Sequence, residues 1–83
     1  MKDGIRSFAL TVLRDEMHIA IPDDVGDEMP LGGDGLGLES LIILMLSIRA
    51  EEEYSIDLIP SYGGVLPASF GEFVDRVEMA RHG

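Results

Sequence analysis

A single serine stands where a glycine-rich segment gives way to a long apolar one. Ser40 follows Gly37-Leu38-Glu39 and opens a run that contains neither glycine nor proline as far as Tyr54. At the first turn of a helix, free backbone N–H groups and the positive end of the helix dipole favour a bound anion. The position of Ser40 at the start of a predicted helix therefore indicates that its hydroxyl could carry a phosphodiester. The alternative is an ordinary helix cap, which is a common use of serine.

The glycine-rich run of residues 32–37 does not have the spacing of a nucleotide-binding loop. A P-loop needs Lys-Ser or Lys-Thr after its last glycine, and here Leu38-Glu39 follows. No strand is predicted before the run, although a dinucleotide fingerprint requires one. A calcium loop ending at Glu39 would have Pro30 and Gly32 where oxygen ligands belong. We therefore expect neither a nucleotide site nor a metal site.

The residues that could act as acids or bases are not arranged for catalysis. A serine hydrolase needs a histidine placed as general base, and neither His18 nor His82 has a recognisable partner. Glu51-Glu52-Glu53 are consecutive, so on a helix their carboxylates point in different directions and form a solvated face. We expect no catalytic residues, and the protein is predicted not to be an enzyme.

The composition limits the fold and the partners. The 83 residues carry a net charge of −10, and we treat residues 1–83 as one domain with a small core. Between Asp15 and Asp75 the only Lys or Arg is Arg49, against fourteen of the sixteen acids. Such a surface repels nucleic acids and anionic membranes and attracts basic patches on other proteins. With no cysteine, no secretory signal and no membrane span, we expect a cytoplasmic monomer.

Three segments have apolar residues at helical spacing. We predict helices over Asp3–Met17, Ser40–Tyr54 and Ser69–Arg81. Glycine and proline interrupt the connections at 18–39 and 55–67, and the second has room only for a short helical turn. Apolar residues of the first connection are expected to pin it to the helices. The predicted fold is all-α, a three- to four-helix bundle with a long first loop.

Smaller signals mark the helix ends. Asp3 could cap the first helix. Ser69 and Glu72 have the spacing of a capping box at the start of the last helix. Arg76 and Arg81 suit the C-terminal end of that helix, where the dipole favours cations.

The middle helix is apolar on more than one side. One stripe is predicted to face the core, and it consists of Ile43, Leu46, Ser47, Ala50 and Tyr54. Ile42, Met45 and Arg49 are expected to share a different, solvent-accessible face beside Ser40. Apolar surface next to an attachment point is a candidate for protein recognition.

These features together resemble the acyl carrier protein family and the related peptidyl carriers. Glu39-Ser40-Leu41 is similar to the family's Asp-Ser-Leu at the modified serine. Glu52-Glu53-Tyr54 resembles its acidic-acidic-aromatic end of helix two, and Ile56-Asp57-Leu58 the short extended segment that follows. The likeness covers nearly the whole chain and is most specific from Gly33 to Leu58.

The resemblance implies a 4′-phosphopantetheine cofactor attached covalently to Ser40, with acyl groups carried as thioesters on its terminal thiol. It implies a phosphopantetheinyl transferase as one partner and acyl-loading, acyl-transferring or condensing enzymes as the others. The recognition residues implied are Glu39, Leu41, Ile42, Met45 and Arg49. The absence of cysteine fits this function, because the working sulfur arrives with the arm.

Three residues depart from the family pattern and indicate which class of carrier the protein resembles. Glu39 replaces the usual Asp, and Ile42 and Met45 stand where carriers of fatty acid biosynthesis have acids. A free-standing carrier in polyketide or other specialised biosynthesis fits better. A peptidyl or aminoacyl carrier of a nonribosomal peptide pathway is the second hypothesis, although its Gly-Gly-His/Asp-Ser signature is not matched. The third is an unmodified acidic helical adaptor that binds partners through the middle helix.

Overall fold

The computed structural model of the protein describes residues 2–82. In that range the chain forms three α-helices and no strands: α1 at Lys2–Thr11, α2 at Ser40–Tyr54 and α3 at Phe70–His82. A single 3-10 turn at Pro60–Tyr62 interrupts the second connection, as its prolines and glycines predict. The helical class is confirmed, and so are the predicted bounds of the middle helix. None of these helices has the length and apolarity needed to cross a bilayer.

The first helix departs from the prediction at both ends. Asp3 lies inside the first turn of a helix that begins at Lys2, so it is not the cap that the sequence indicated. Beyond Thr11 the chain widens into a π-helical turn at Val12–Glu16, closed by the Met17 N–H donating to the Val12 carbonyl at 2.9 Å. The extra residue in this turn directs the end of the segment toward α2, with which it is in contact.

One apolar core joins the three helices. Residues from both connections enter it, so the prediction that the first loop is pinned by its apolar residues is confirmed. The loop contributes Ile21, Val25, Leu31 and Leu38 to the buried set, and Leu58 comes from the second connection. The largest fully buried side chains of α1 and α3 are Ile5, Phe70 and Phe73.

Glu51 does not belong to the solvated face that was predicted for Glu51-Glu52-Glu53. Its carboxylate binds backbone amides of the second connection instead. It is half-buried, and its Oε2 accepts hydrogen bonds from the N–H groups of Leu58 (2.7 Å) and Ile59 (3.0 Å). Glu52 and Glu53 are exposed, as expected. Two otherwise unpaired amides of the second connection are thereby tied to α2.

Arg76 fixes the same connection from the side of α3. It does not lie at the helix end, as the dipole argument suggested, but near the middle of α3. Its guanidinium donates to the Val65 carbonyl at 2.6 Å and lies 4.0 Å from the centroid of the Tyr62 ring. It also pairs with Glu72 at 2.8 Å. This arginine therefore packs the 3-10 turn onto the helix.

The predicted capping box at the start of α3 is present in a modified form. The Glu72 N–H donates to Ser69 Oγ at 3.1 Å, as the spacing requires. In a standard capping box the second hydrogen bond runs from the Ser69 N–H to the Glu72 carboxylate. Here the Ala68 N–H donates to Glu72 Oε1 instead, at 2.8 Å. That hydrogen bond, and the positive charge of Arg76, lower the pKa of Glu72 against the opposing effect of burial.

The lowered pKa of Glu72 leads to a prediction about acid stability. Because the folded pKa is below the ordinary value, Glu72 contributes stability that is fully present above about pH 4.3 and is lost as the pH falls through the folded pKa. We expect Glu72→Gln to reduce the pH dependence of unfolding below that pH, measured by urea denaturation at a series of pH values. Asp24→Asn, at an exposed loop position, removes the same charge and is the control. Equal pH profiles for the two variants would contradict the prediction.

Candidate functional site

A tight turn in the first connection places Ser40 at the surface. The Leu38 N–H donates to the Leu31 carbonyl at 2.8 Å, and the Leu36 N–H donates to the Pro30 carbonyl at 2.9 Å. Gly37 has a φ of 72°, a left-handed conformation that favours glycine. Leu38 is buried, so the chain is anchored two residues before Ser40.

Ser40 is exposed and is the first residue of α2, one position past the cap. The cap residue is Glu39, which has extended backbone angles and makes no side-chain capping bond. Its carbonyl accepts from the N–H groups of Ile42 (2.9 Å) and Ile43 (3.1 Å). In the part of the chain that is described, the N–H groups of Ser40 and Leu41 have no acceptor. An exposed hydroxyl beside two free amides at a helix start is suited to holding a phosphodiester.

The middle helix has a buried stripe and an apolar outer face. The predicted core stripe is confirmed, with Ile43, Leu46, Ser47 and Ala50 buried and Tyr54 half-buried. On the opposite side, Leu41 is 64% exposed, Met45 42% and Ile48 40%. These three residues, spaced i, i+4 and i+7, form what we term the outer stripe. It begins directly after Ser40.

The solvent accessibility predicted for the face of Ile42, Met45 and Arg49 is found only at Met45. Met45 is accessible, but Ile42 is half-buried and packs against the core, so the prediction was wrong for Ile42. Ile42 and Arg49 are seven residues apart and share one side of α2, and Arg49 reaches the π-helical turn that follows α1 from there. The exposed neighbour of Met45 is instead Ile48. The sequence spacing predicts a second apolar stripe on α2, and all of its residues except the half-buried Leu44 are exposed: Leu41, Leu44, Met45 and Ile48.

Arg49 joins the π-helical turn to α2. Its guanidinium forms two hydrogen bonds to the Glu16 carboxylate, at 2.7 and 3.1 Å, and lies 5.4 Å from the centroid of the Phe8 ring. Glu52 and Glu53 approach it at 3.7 and 4.0 Å. The hydrogen bond to Glu16 raises the pKa of Arg49 and lowers that of Glu16. Three carboxylates therefore surround the cation, and their negative charge offsets its attraction for any other anion.

Two apolar spaces adjoin α2. An interior cavity of about 10 Å³ lies beneath the second connection, with Ser47, Leu58 and Phe73 in its wall. A depression of about 270 Å³ opens at the surface between α2 and the π-helical turn that follows α1, and we term it the α1–α2 depression. It is lined by Glu16, Met17, Met45, Ile48 and Arg49. The contribution of Glu16 and Met17 to this surface could not be predicted, because the π-helical turn that brings them there has no sequence signature.

The site therefore combines an exposed serine at a helix start, an apolar stripe that begins beside it and a depression along that stripe. Compared with known proteins, the chain matches no protein-family model, no curated protein and no solved structure.

Proposed function

We propose that the protein is an acyl carrier protein, modified on Ser40 with 4′-phosphopantetheine, and that its compact helical fold is a carrier-type bundle. The observation that carries the proposal is the environment of Ser40. Its hydroxyl is exposed, it is not the cap of α2, and two free N–H groups lie beside it. A serine used only as a helix cap would accept a hydrogen bond from the first turn. The motif Glu39-Ser40-Leu41 and the acidic surface support the same function.

The modification is a phosphoryl transfer from coenzyme A. Ser40 Oγ forms a bond to the phosphorus that bears pantetheine, the phosphoanhydride bond of coenzyme A breaks, and adenosine 3′,5′-bisphosphate leaves. The hydroxyl proton passes to a base on the transferase. Such a reaction needs a metal ion and a positioned base, which we assign to the separate transferase rather than to this chain. Exposure of Ser40 leaves its hydroxyl open to that enzyme.

Intact mass spectrometry tests the proposal. The purified protein is incubated with coenzyme A, Mg²⁺ and a broad-specificity phosphopantetheinyl transferase, and peptide mapping locates any added group. We expect one phosphopantetheine per chain, on Ser40. An unmodified chain after incubation with several transferases would instead favour the unmodified adaptor, a function that the exposed outer stripe also supports.

The apolar character of α2 favours a carrier of polyketide or other specialised biosynthesis. Met45 faces outward at a position where a carrier that binds basic partners through acids would have a carboxylate, and the exposed Leu41 and Ile48 beside it are apolar too. Partner enzymes of this protein are therefore expected to bring an apolar contact to the outer stripe. A peptidyl or aminoacyl carrier is compatible with the same surface, and the loading enzyme that accepts the protein would identify the cargo.

Met45→Glu tests this recognition surface. Because Met45 is 42% exposed, the variant should fold and should remain modifiable on Ser40. We expect its affinity for the cognate partner to fall by at least roughly tenfold, about 1.4 kcal/mol, measured by calorimetry. Met79→Glu, on α3 and 68% exposed, is the matched control and should bind normally. Normal binding by Met45→Glu would assign recognition to the acidic surface instead.

A further inference from the structure

Only one of the two apolar spaces beside α2 has room for a bound group. The interior cavity, at about 10 Å³, is no larger than a water site requires. The α1–α2 depression, at about 270 Å³, is close to the roughly 300 Å³ at which small-molecule pockets begin. A short aliphatic chain therefore has room in the surface depression and has none in the cavity beneath the second connection.

The outer stripe connects the depression to Ser40. Leu41 follows Ser40 directly. Along the axis of α2, Met45 lies about 7.5 Å from Ser40 and Ile48 about 12 Å from Ser40. A group tethered to Ser40 by a flexible arm therefore meets a continuous apolar surface that ends in the depression. Tethering also raises the effective concentration of the group, so even weak contacts suffice to hold it there.

The charges around the depression restrict what it accepts. Met17, Met45 and Ile48 provide apolar walls, and the ion pair of Glu16 and Arg49 closes one end. Because Glu52 and Glu53 also surround Arg49, the local charge is net negative. A ligand that ends in a carboxylate is therefore repelled, and an uncharged aliphatic one is not.

The same charges oppose a second copy of this chain as the occupant. Each copy carries a net charge of −10, and two facing depressions would bring the carboxylates of Glu16, Glu52 and Glu53 toward their counterparts. Like charges placed opposite each other at an interface cost several kcal/mol. An uncharged acyl chain on the same molecule avoids that cost.

We infer that the α1–α2 depression holds an uncharged aliphatic acyl chain tethered to Ser40. The inference rests on the proposed function, because an arm on Ser40 is what delivers the chain. It adds that the cargo lies on the outer side of α2, against the π-helical turn that follows α1, and that an acyl group with a terminal carboxylate does not dock there.

A chemical tether tests the docking separately from the enzymatic modification. The chain has no cysteine, so Ser40→Cys creates a single site for a maleimide that carries a long flexible linker ending in a hexanoyl group. The matched conjugate ends in a glutaryl group, which has a terminal carboxylate. In parallel, a transferase loads the wild-type protein from a stable hexanoyl-amide analogue of coenzyme A, and adenosine 3′,5′-bisphosphate leaves. Methyl NMR spectra of methionine- and isoleucine-labelled protein are recorded for each.

We expect nuclear Overhauser contacts from the hexanoyl methyl to Met17, Met45 and Ile48, with the exposed Met79 on α3 unchanged. The glutaryl conjugate should give none of these contacts, and Ile48→Asn should remove them from the hexanoyl conjugate. Contacts to Ile59, which lines the cavity beneath the second connection, or to the buried Ile43 would place the chain in the interior and overturn the inference. Absence of any contact, or contacts only after a partner protein is added, would also overturn it.

The two proposals fail in different ways. If the transferase modifies Ser40 but neither hexanoyl form contacts the depression, the carrier function stands and the docking inference is wrong. If the transferase leaves Ser40 unmodified while the Ser40→Cys conjugate docks, the depression binds aliphatic chains and the carrier function is wrong.

Discussion

Ser40→Ala is expected to abolish phosphopantetheine attachment while leaving the protein folded. The modification needs the hydroxyl oxygen as nucleophile, and alanine offers none. The cost to stability should be below the roughly 1 kcal/mol typical of a lost helix cap, because Ser40 follows the cap rather than forming it. Intact mass should show no added group, and circular dichroism should show an unchanged helix content and melting temperature.

A second exposed serine provides the control for that result. Ser7 lies on α1, and Ser7→Ala should be modified at the wild-type rate. If Ser40→Ala were still modified, the attachment point would be another serine and the proposed function would lose its central residue. If Ser40→Ala were unfolded, the loss of modification would carry no information, and Ser40→Cys would replace it, since cysteine preserves the size of the side chain.

The elements whose signals are local were predictable from the sequence. The middle helix begins and ends where expected, because glycines precede Ser40 and apolar residues continue without a helix breaker to Tyr54. The core stripe of α2 and the capping residues before α3 followed from spacing in the same way. Each of these depends on residues within a few positions of one another.

The features that were missed depend on contacts that helical periodicity does not specify. Nothing in the sequence near Glu51 indicates that its carboxylate will bind the amides of Leu58 and Ile59 after the chain reverses. The burial of Ile42 is likewise set by what packs beside α2, which periodicity alone does not specify.

The candidate site was predictable at its centre and less so at its edges. Ser40 stood out because a loop and a helix meet there, and the structure places it at the surface. The α1–α2 depression could not be predicted, since it depends on the π-helical turn and on the pairing of Glu16 with Arg49 across 33 residues. The turn that positions Ser40 also contains a glycine whose importance is visible only in three dimensions.

Gly35→Ala is expected to cause the largest loss of stability among the loop variants. A Cβ at this position would overlap the Pro30 carbonyl oxygen and lie 2.8 Å from Pro30 Cδ. That carbonyl is fixed, because it accepts the hydrogen bond from the Leu36 N–H. The turn must therefore open, and forced overpacking of this kind costs typically about 1–3 kcal/mol. For a domain of this size, each kcal/mol corresponds to a fall of roughly 4–8 °C in melting temperature.

Gly33→Ala is the matched control within the same loop. A Cβ at Gly33 has no atom within 4 Å, and its backbone is not in the left-handed region, so its melting temperature should change little. Because the turn anchors Leu38 and sets the start of α2, Gly35→Ala should also slow modification of Ser40 under conditions where the variant remains folded. Equal melting temperatures for the two variants would show that the turn accommodates a Cβ beside the Pro30 carbonyl and would contradict the prediction. A destabilised Gly35→Ala that is modified at the wild-type rate would show that the transferase recognises Ser40 and α2 without needing the turn.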